Sequence, residues 1–229
     1  MTRSRAGEIG CIALGVLLAL IVVPIIIILI FRVADPRLTP LMLTRLIEGH
    51  GIEKSWVPLP QISRHVPRAV IVSEDAKFCM HRGFDWEAVD KAISRYQSKN
   101  KPLVGASTIS MQTSKNLFLW QARNFLRKGL EAYLTVLLET FMPKDRILEI
   151  YLNIIEWGPG IYGIEAAARA NFGVSAAKLS PSQAAHLAAI LPNPRYWRAD
   201  RPGPGTQARA NSIMARMNSV ALAKGGGCL

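Results

Sequence analysis

Cysteine is scarce in this chain: Cys11, Cys79 and Cys228 are odd in number and scattered. Cys11 falls inside an apolar run, so no disulfide framework is expected. The four histidines add no spacing that reads as a metal site, because Cys79-x-His81 stands alone. Asp-x-Asp, the metal and sugar-nucleotide signature, is missing, which argues against a nucleotide-sugar donor. Strand pairs and internal repeats are not evident, so the fold is expected to be all-α. Acidic residues are also few, 16 against 28 basic ones, giving a formal net charge of +12. That balance favours an anionic partner: nucleic acid, acidic lipid headgroups or a pyrophosphate. With no recognisable nucleic-acid motif beside the charge, nucleic acid is the poorer reading.

What the chain does have is one long apolar run. Ile9 to Phe31 carries no charge and is nearly all aliphatic. As a helix it would span about 34 Å, enough for a bilayer core of roughly 30 Å. A signal peptide would be shorter and end at small residues, whereas Phe31-Arg32-Val33 is a poor cleavage site. The expected layout is a short tail over 1–8, a transmembrane helix over 9–31, a membrane-proximal linker over 32–55 broken by prolines and glycines, and one domain over 56–222. Arg3 and Arg5 before the span nearly balance Arg32 and Arg37 after it, so charge alone does not orient it.

Within the domain, Pro67 predicts the first position of a helix running to about Phe78. Asp85 reads as the N-cap of the next, with Trp86, Val89, Ile93 and Tyr96 as its stripe. Ser98 to Gly105 is polar and basic, a loop before a helix from about Thr108. Asn124 to Met142 is the clearest helix, its buried face drawn through Leu126, Leu130, Tyr133, Leu134, Leu137 and Phe141, with Pro143 as its stop. Asp145 to Ile154 and Ile164 to Phe172 follow, the latter capped by Gly173. Ser180-Pro181-Ser182-Gln183 is a capping box, and helical spacing resumes from Thr206 to Lys224.

Three stretches carry chemistry. Glu74-Asp75-Ala76-Lys77-Phe78-Cys79-Met80-His81 sets two carboxylates beside a histidine. At the end of its helix, Glu74 meets the negative end of the dipole and the adjacent Asp75; both disfavour its ionised form, which suits a general base near neutrality. A solvated Glu-Asp pair is the bland alternative. From Gly105 to Asn116 a small-residue loop enters a helix rich in hydroxyls and amides that closes on Lys115, a plausible anion cradle or simply an N-cap at Ser107. Arg127-Lys128-Gly129-Leu130-Glu131 places two cations one turn from a carboxylate. An ordinary ion pair would serve, although Arg before Glu is the less stabilising order. Tyr151 and Asn153 fit structural hydrogen bonds at least as well as substrate contact.

Together these stretches resemble the peptidoglycan glycosyltransferase family, lysozyme-like enzymes that polymerise lipid II. The first motif, E-D-x-x-F-x-x-H-x-G-x-D, is filled by Glu74, Asp75, Phe78, His81, Gly83 and Asp85. The second, G-x-S-T-I-x-x-Q-x-x-K-N, runs from Gly105 to Asn116, with Met111 where a second glutamine is usual. R-K-x-x-E falls on Arg127 to Glu131, and I-L-x-x-Y-L-N on Ile147 to Asn153. Stretches from Gly160 to Ala168 and from Leu179 to Pro194 are also similar.

The resemblance implies a two-lobed, lysozyme-like helical domain behind one transmembrane helix, monofunctional and without a transpeptidase domain. It implies Glu74 and Glu131 as catalytic residues, with Asp75, Phe78, His81, Ser107, Thr108, Gln112, Lys115, Asn116, Arg127 and Lys128 binding substrate. No protein-held metal or fixed cofactor is expected; a divalent cation (Mg) at the pyrophosphate is the one candidate. Partners would be lipid II, the lipid-linked glycan strand, the bacterial membrane and a cell-wall synthesis complex. Because lipid II is polymerised outside the cytoplasm, the domain is expected on the outer, periplasmic face of the inner membrane, its anchor serving substrate delivery rather than chemistry. A hydrolase on the same fold, with Glu74 as acid, is the nearest rival, but cleavage by water needs no lysine–arginine cluster. A membrane scaffold would leave both glutamates without a role.

Overall fold

A computed structural model describes residues 5–99, 106–122 and 124–218. The first helix, α1 (Arg5–Val33), contains a stretch from Glu8 to Val33 long and apolar enough to cross a membrane. Its apolar residues are exposed along most of its length, but the last turns meet the body of the protein. Ile28 is fully buried there, and the Phe31 ring lies 6.5 Å from that of Phe118.

Residues 32–55, read from the sequence as a linker, are built into the body. Thr39 caps α2 (Pro40–Ile47), which sends Leu41 and Met42 into the core. Glu53–Lys54 forms β1, which pairs parallel with β3 (Ile161–Tyr162); β2 (Glu156–Gly158) pairs antiparallel on the other side of β3. This small sheet corrects the expectation of no strand pairs. Its strands are two or three residues long, too short to leave an alternating pattern. Cys79 is disulfide-bonded, which corrects the expectation for the cysteines.

The domain is otherwise helical: α3 (His65–Glu74), α4 (Trp86–Lys99), α5 (Ile109–Phe118), α6 (Phe125–Phe141), α7 (Lys144–Ile154), α8 (Ile164–Phe172), α9 (Pro181–Ile190) and α10 (Pro204–Arg216). Gly173 ends α8 in the left-handed region, and the capping box at Ser180 and Gln183 opens α9, both as expected. Helix α3 starts two residues before Pro67 and stops at Glu74, earlier than the sequence suggested, with Asp75 as its C-cap. Helix α4 extends to Lys99 through part of the expected loop. Gly105 and the tail beyond residue 218 lie outside the described residues.

Two packed groups hold the domain. Helix α9 lies against both α3 and α10, while α5 lies between α7 and α6; α1 covers another side of α6. That arrangement corrects the buried face expected for α6. Leu126 is exposed, and the buried line runs through Arg127, Glu131, Leu134, Thr135 and Leu138. The apolar stripe points elsewhere because α1 is there: Tyr133 donates from its hydroxyl to the Leu20 carbonyl at 3.1 Å, and Arg32 donates to the Phe141 carbonyl at 3.2 Å.

Candidate active site

The end of α3 and the start of α5 meet through two carboxylates of opposite fate. Asp75 turns inward and is buried. It accepts the Ile109 backbone N–H at 3.0 Å, occupying one of the free donors at the start of α5, and holds His81 Nε2 at 2.9 Å. Phe78 is fully buried, edge-on to the His81 ring and under the Lys144 ammonium, which lies 4.4 Å from its centroid. Asp75, Phe78 and His81, all expected to touch substrate, therefore form a buried brace that ties the chain after α3 to α5 and α7.

Glu74 turns the other way. Its Oε2 accepts from Gln112 Nε2 at 3.2 Å, and its Oε1 from Ser73 Oγ at 3.1 Å and Arg209 Nη2 at 3.3 Å. Gln112 in turn accepts from the Tyr151 hydroxyl at 3.2 Å. Tyr151 is almost fully buried; that burial first, then the charges of Glu74 and Asp75, push its phenol well above its ordinary value of 10.0. It stays a neutral donor at any working pH. An ionised carboxylate only accepts, so Gln112 must present its NH2 to Glu74 and its carbonyl oxygen to Tyr151. Neither Arg209 nor Ser73 was picked out from the sequence, and for Tyr151 the sequence left a structural hydrogen bond and a substrate contact both open.

Along α5 the hydroxyls have separate duties. Thr108, not Ser107, is the N-cap: its Oγ1 accepts the Met111 N–H at 3.1 Å and donates to the Gly83 carbonyl at 2.6 Å. Ser107 is exposed, and Met111 is buried where a polar contact had been in question. Ser110 donates to Glu139, which also pairs with Lys144 at 2.6 Å. Lys115 is half-buried further along the same helix, and Asn116 is buried.

On α6, Glu131 is buried at 3 % exposure with both carboxylate oxygens paired, one to Arg127 and one to Lys128. Arg127 is itself buried, and its Nε–H has no acceptor among the described residues. Lys128 reaches half into solvent. The result is a positive cluster organised around one buried carboxylate on the helix packed against α5, with a guanidinium N–H left over. Asn153 is structural: its amide brackets Val57, accepting the N–H and donating to the carbonyl, each at 2.9 Å.

Among the described residues no group of three or more His, Cys, Asp or Glu stands together to hold a metal ion.

Comparison with known proteins places this arrangement. A family model described as Transglycosylase matches residues 42–218. The chain is 51 % identical over 200 residues to a Caulobacter vibrioides protein named biosynthetic peptidoglycan transglycosylase, covering 87 % of each chain. A Rhodospirillum centenum protein of the same name is 51 % identical over 191 residues, covering 83 % of this chain and 82 % of its own length. A third, from Bdellovibrio bacteriovorus, is 48 % identical over 196 residues and covers 83 % and 78 %.

Proposed function

This chain belongs to the transglycosylase family, and we propose how its lysozyme-like helical domain performs the peptidoglycan glycosyltransferase reaction. The substrate is lipid II, added to a lipid-linked glycan strand. Glu74 accepts the proton of the 4-hydroxyl on the N-acetylglucosamine of the acceptor. The oxygen so freed attacks C1 of the N-acetylmuramic acid at the end of the donor chain. The C1–O bond to undecaprenyl pyrophosphate breaks with inversion, and the electron pair leaves on the pyrophosphate.

Lys115, Arg127 and Lys128 meet that developing charge, with Glu131 holding the two α6 cations in place. The observation that carries this reading is the contrast between the two glutamates. Glu74 is held by donors at a helix end, while both oxygens of Glu131 are committed to cations. The Nε–H of Arg127, without an acceptor among the described residues, supports an anion beside it. Asp75, Phe78, His81 and Thr108 contribute by fixing α5, and with it Gln112, against Glu74. Through α1 the protein is proposed to sit in the bacterial inner membrane with the domain outside the cytoplasm, within reach of a cell-wall synthesis complex.

Incubating the full-length protein in detergent with labelled lipid II tests the reading. Polymer and undecaprenyl pyrophosphate are expected from the parent, and no polymer from Glu74→Gln with its melting temperature unchanged. Polymer from Glu74→Gln at the parental rate would remove the base assignment, and cleavage of preformed glycan without polymerisation would favour the hydrolase.

A further inference from the structure

We infer that Arg209 is a positioning residue for Glu74, fixing the carboxylate so that Oε2 is the oxygen that takes the proton. The inference rests on the reading of Glu74 as the base. Each carboxylate oxygen offers about two lone-pair sites. Around Oε1 two donors converge: Arg209 Nη2 at 3.3 Å and Ser73 Oγ at 3.1 Å. Arg209 Nη2 also donates to Ser73 Oγ at 2.9 Å, so the serine oxygen acts as acceptor there and its own single proton points elsewhere. That proton has two acceptors, Glu74 Oε1 at 3.1 Å and the Ala188 carbonyl at 3.3 Å, of which the carboxylate is the nearer and the charged one. Oε1 is then saturated. Among the described residues Oε2 receives Gln112 alone, leaving it one open lone pair.

The scaffold fits this role. Glu74 is the last residue of α3, where a terminal side chain has few neighbours to lock its rotamer. Helix α10 lies against α9 and α3, and Arg209 falls in its middle, so the guanidinium is delivered from a rigid element. Tyr151, on the core helix α7, fixes Gln112. The carboxylate is thus held by side chains from α5 and α10. Orientation of this kind matters because a misplacement of about 1 Å at a reacting group costs roughly 100-fold in rate.

The test is steady-state polymerisation of lipid II by full-length Arg209→Ala, Arg209→Lys, Ser73→Ala and Glu74→Gln in detergent, each with its melting temperature. Arg209→Ala is expected to lose about 10- to 100-fold in kcat with KM within about twofold. Guanidinium ion at millimolar concentration should restore part of that kcat, and should do nothing for Glu74→Gln. Arg209→Lys and Ser73→Ala should each keep more kcat than Arg209→Ala. If Arg209→Ala turns over like the parent, or loses kcat in step with its melting temperature and without rescue, the positioning role falls. Should Arg209→Ala fail to fold, Arg209→Lys decides: a reduced kcat at unchanged KM and melting temperature supports the role, and a parental kcat overturns it. An active Glu74→Gln would instead sink the base assignment itself, whatever Arg209 does.

Discussion

The carboxylate of Asp75 accepts the backbone N–H of Ile109, so the C-cap residue of α3 also holds the first N–H of α5. One side chain thus sets the angle between the helix carrying Glu74 and the helix carrying Gln112. Its other partner, His81, returns the intervening loop to the same point. Asp75→Ala would leave a buried backbone donor and a buried imidazole without an acceptor, a loss of about 1–3 kcal/mol for each group. Thermal unfolding should show a clear drop in melting temperature, and turnover should fall with it because Gln112 moves away from Glu74. A variant with parental stability would make Asp75 a substrate contact instead.

Tyr151→Phe should lower kcat by about tenfold or more through the lost hold on Gln112. Because the folded phenol titrates well above 10.0, it is protonated throughout the working range. The sign follows from linkage: its stabilising contribution is complete below pH 10 and is lost only as pH rises through the higher folded value. The alkaline limb of the pH–rate profile should therefore lie at the same pH in parent and variant. A limb that moves would mean the phenol itself exchanges protons in the reaction.

Glu131→Gln leaves Arg127 buried beside a neutral amide. Turnover should fall by about 100-fold or more as the positive cluster loses its organising charge. Stability should fall too, as expected when one partner of a buried pair is removed. Lys115→Ala, on a half-buried side chain, should lower turnover comparably. Parental polymerisation rates in either variant would reduce that residue to a helix charge.

Gly83 joins the loop after α3 to α6. Its φ is +90°, and a Cβ there would come within 2.9 Å of the Thr135 methyl carbon and 3.2 Å of Glu139 Cγ. Gly83→Ala should cost roughly 1–3 kcal/mol from backbone strain alone, with the contact on top. It should also loosen the Thr108 cap, whose hydroxyl donates to the Gly83 carbonyl. Denaturant titration checks the size of the loss.

An anchor that served substrate delivery alone could be deleted over residues 1–31 without cost to the domain, but Ile28 is fully buried and Phe31 packs near Phe118. Removing a buried Ile alone forfeits about 1.5–3 kcal/mol of burial. The truncated protein should melt lower than one cut only to residue 19, and both should polymerise lipid II in detergent at temperatures where they are folded. Equal melting temperatures would show that the last turns of α1 contribute nothing to the body.

Sequence patterns gave away the features whose causes are local. Gly173 after α8, Ser180 with Gln183 at α9 and Asn124 before α6 are each decided within a few residues. The family motifs brought forward Glu74, Gln112 and Glu131. What stayed hidden depends on distant partners. Arg209 is 135 residues from Glu74, and nothing near it in the chain marks it as anything but a helix cation. Leu126 looked buried because its stripe is apolar, yet that stripe continues along the side of α6 covered by α1, while Arg127 and Glu131 take the inner side. Asp75 read as part of a reactive pair because its target, a backbone N–H 34 residues on, leaves no mark in the sequence.

Arg146 is the keystone where α1 enters the domain. It donates to the Phe31 and Ala34 carbonyls at 3.0 and 2.7 Å, pairs with Asp35 at 2.9 Å and lies over the Trp56 ring. A domain on a slack tether would tumble, and most of its poses would turn the reaction centre away from the lipid surface. Gripped in this way, α1 is a mast rather than a leash. Were the mast to cross a bilayer, the tilt and azimuth of the domain would be inherited from the helix rather than averaged by tumbling.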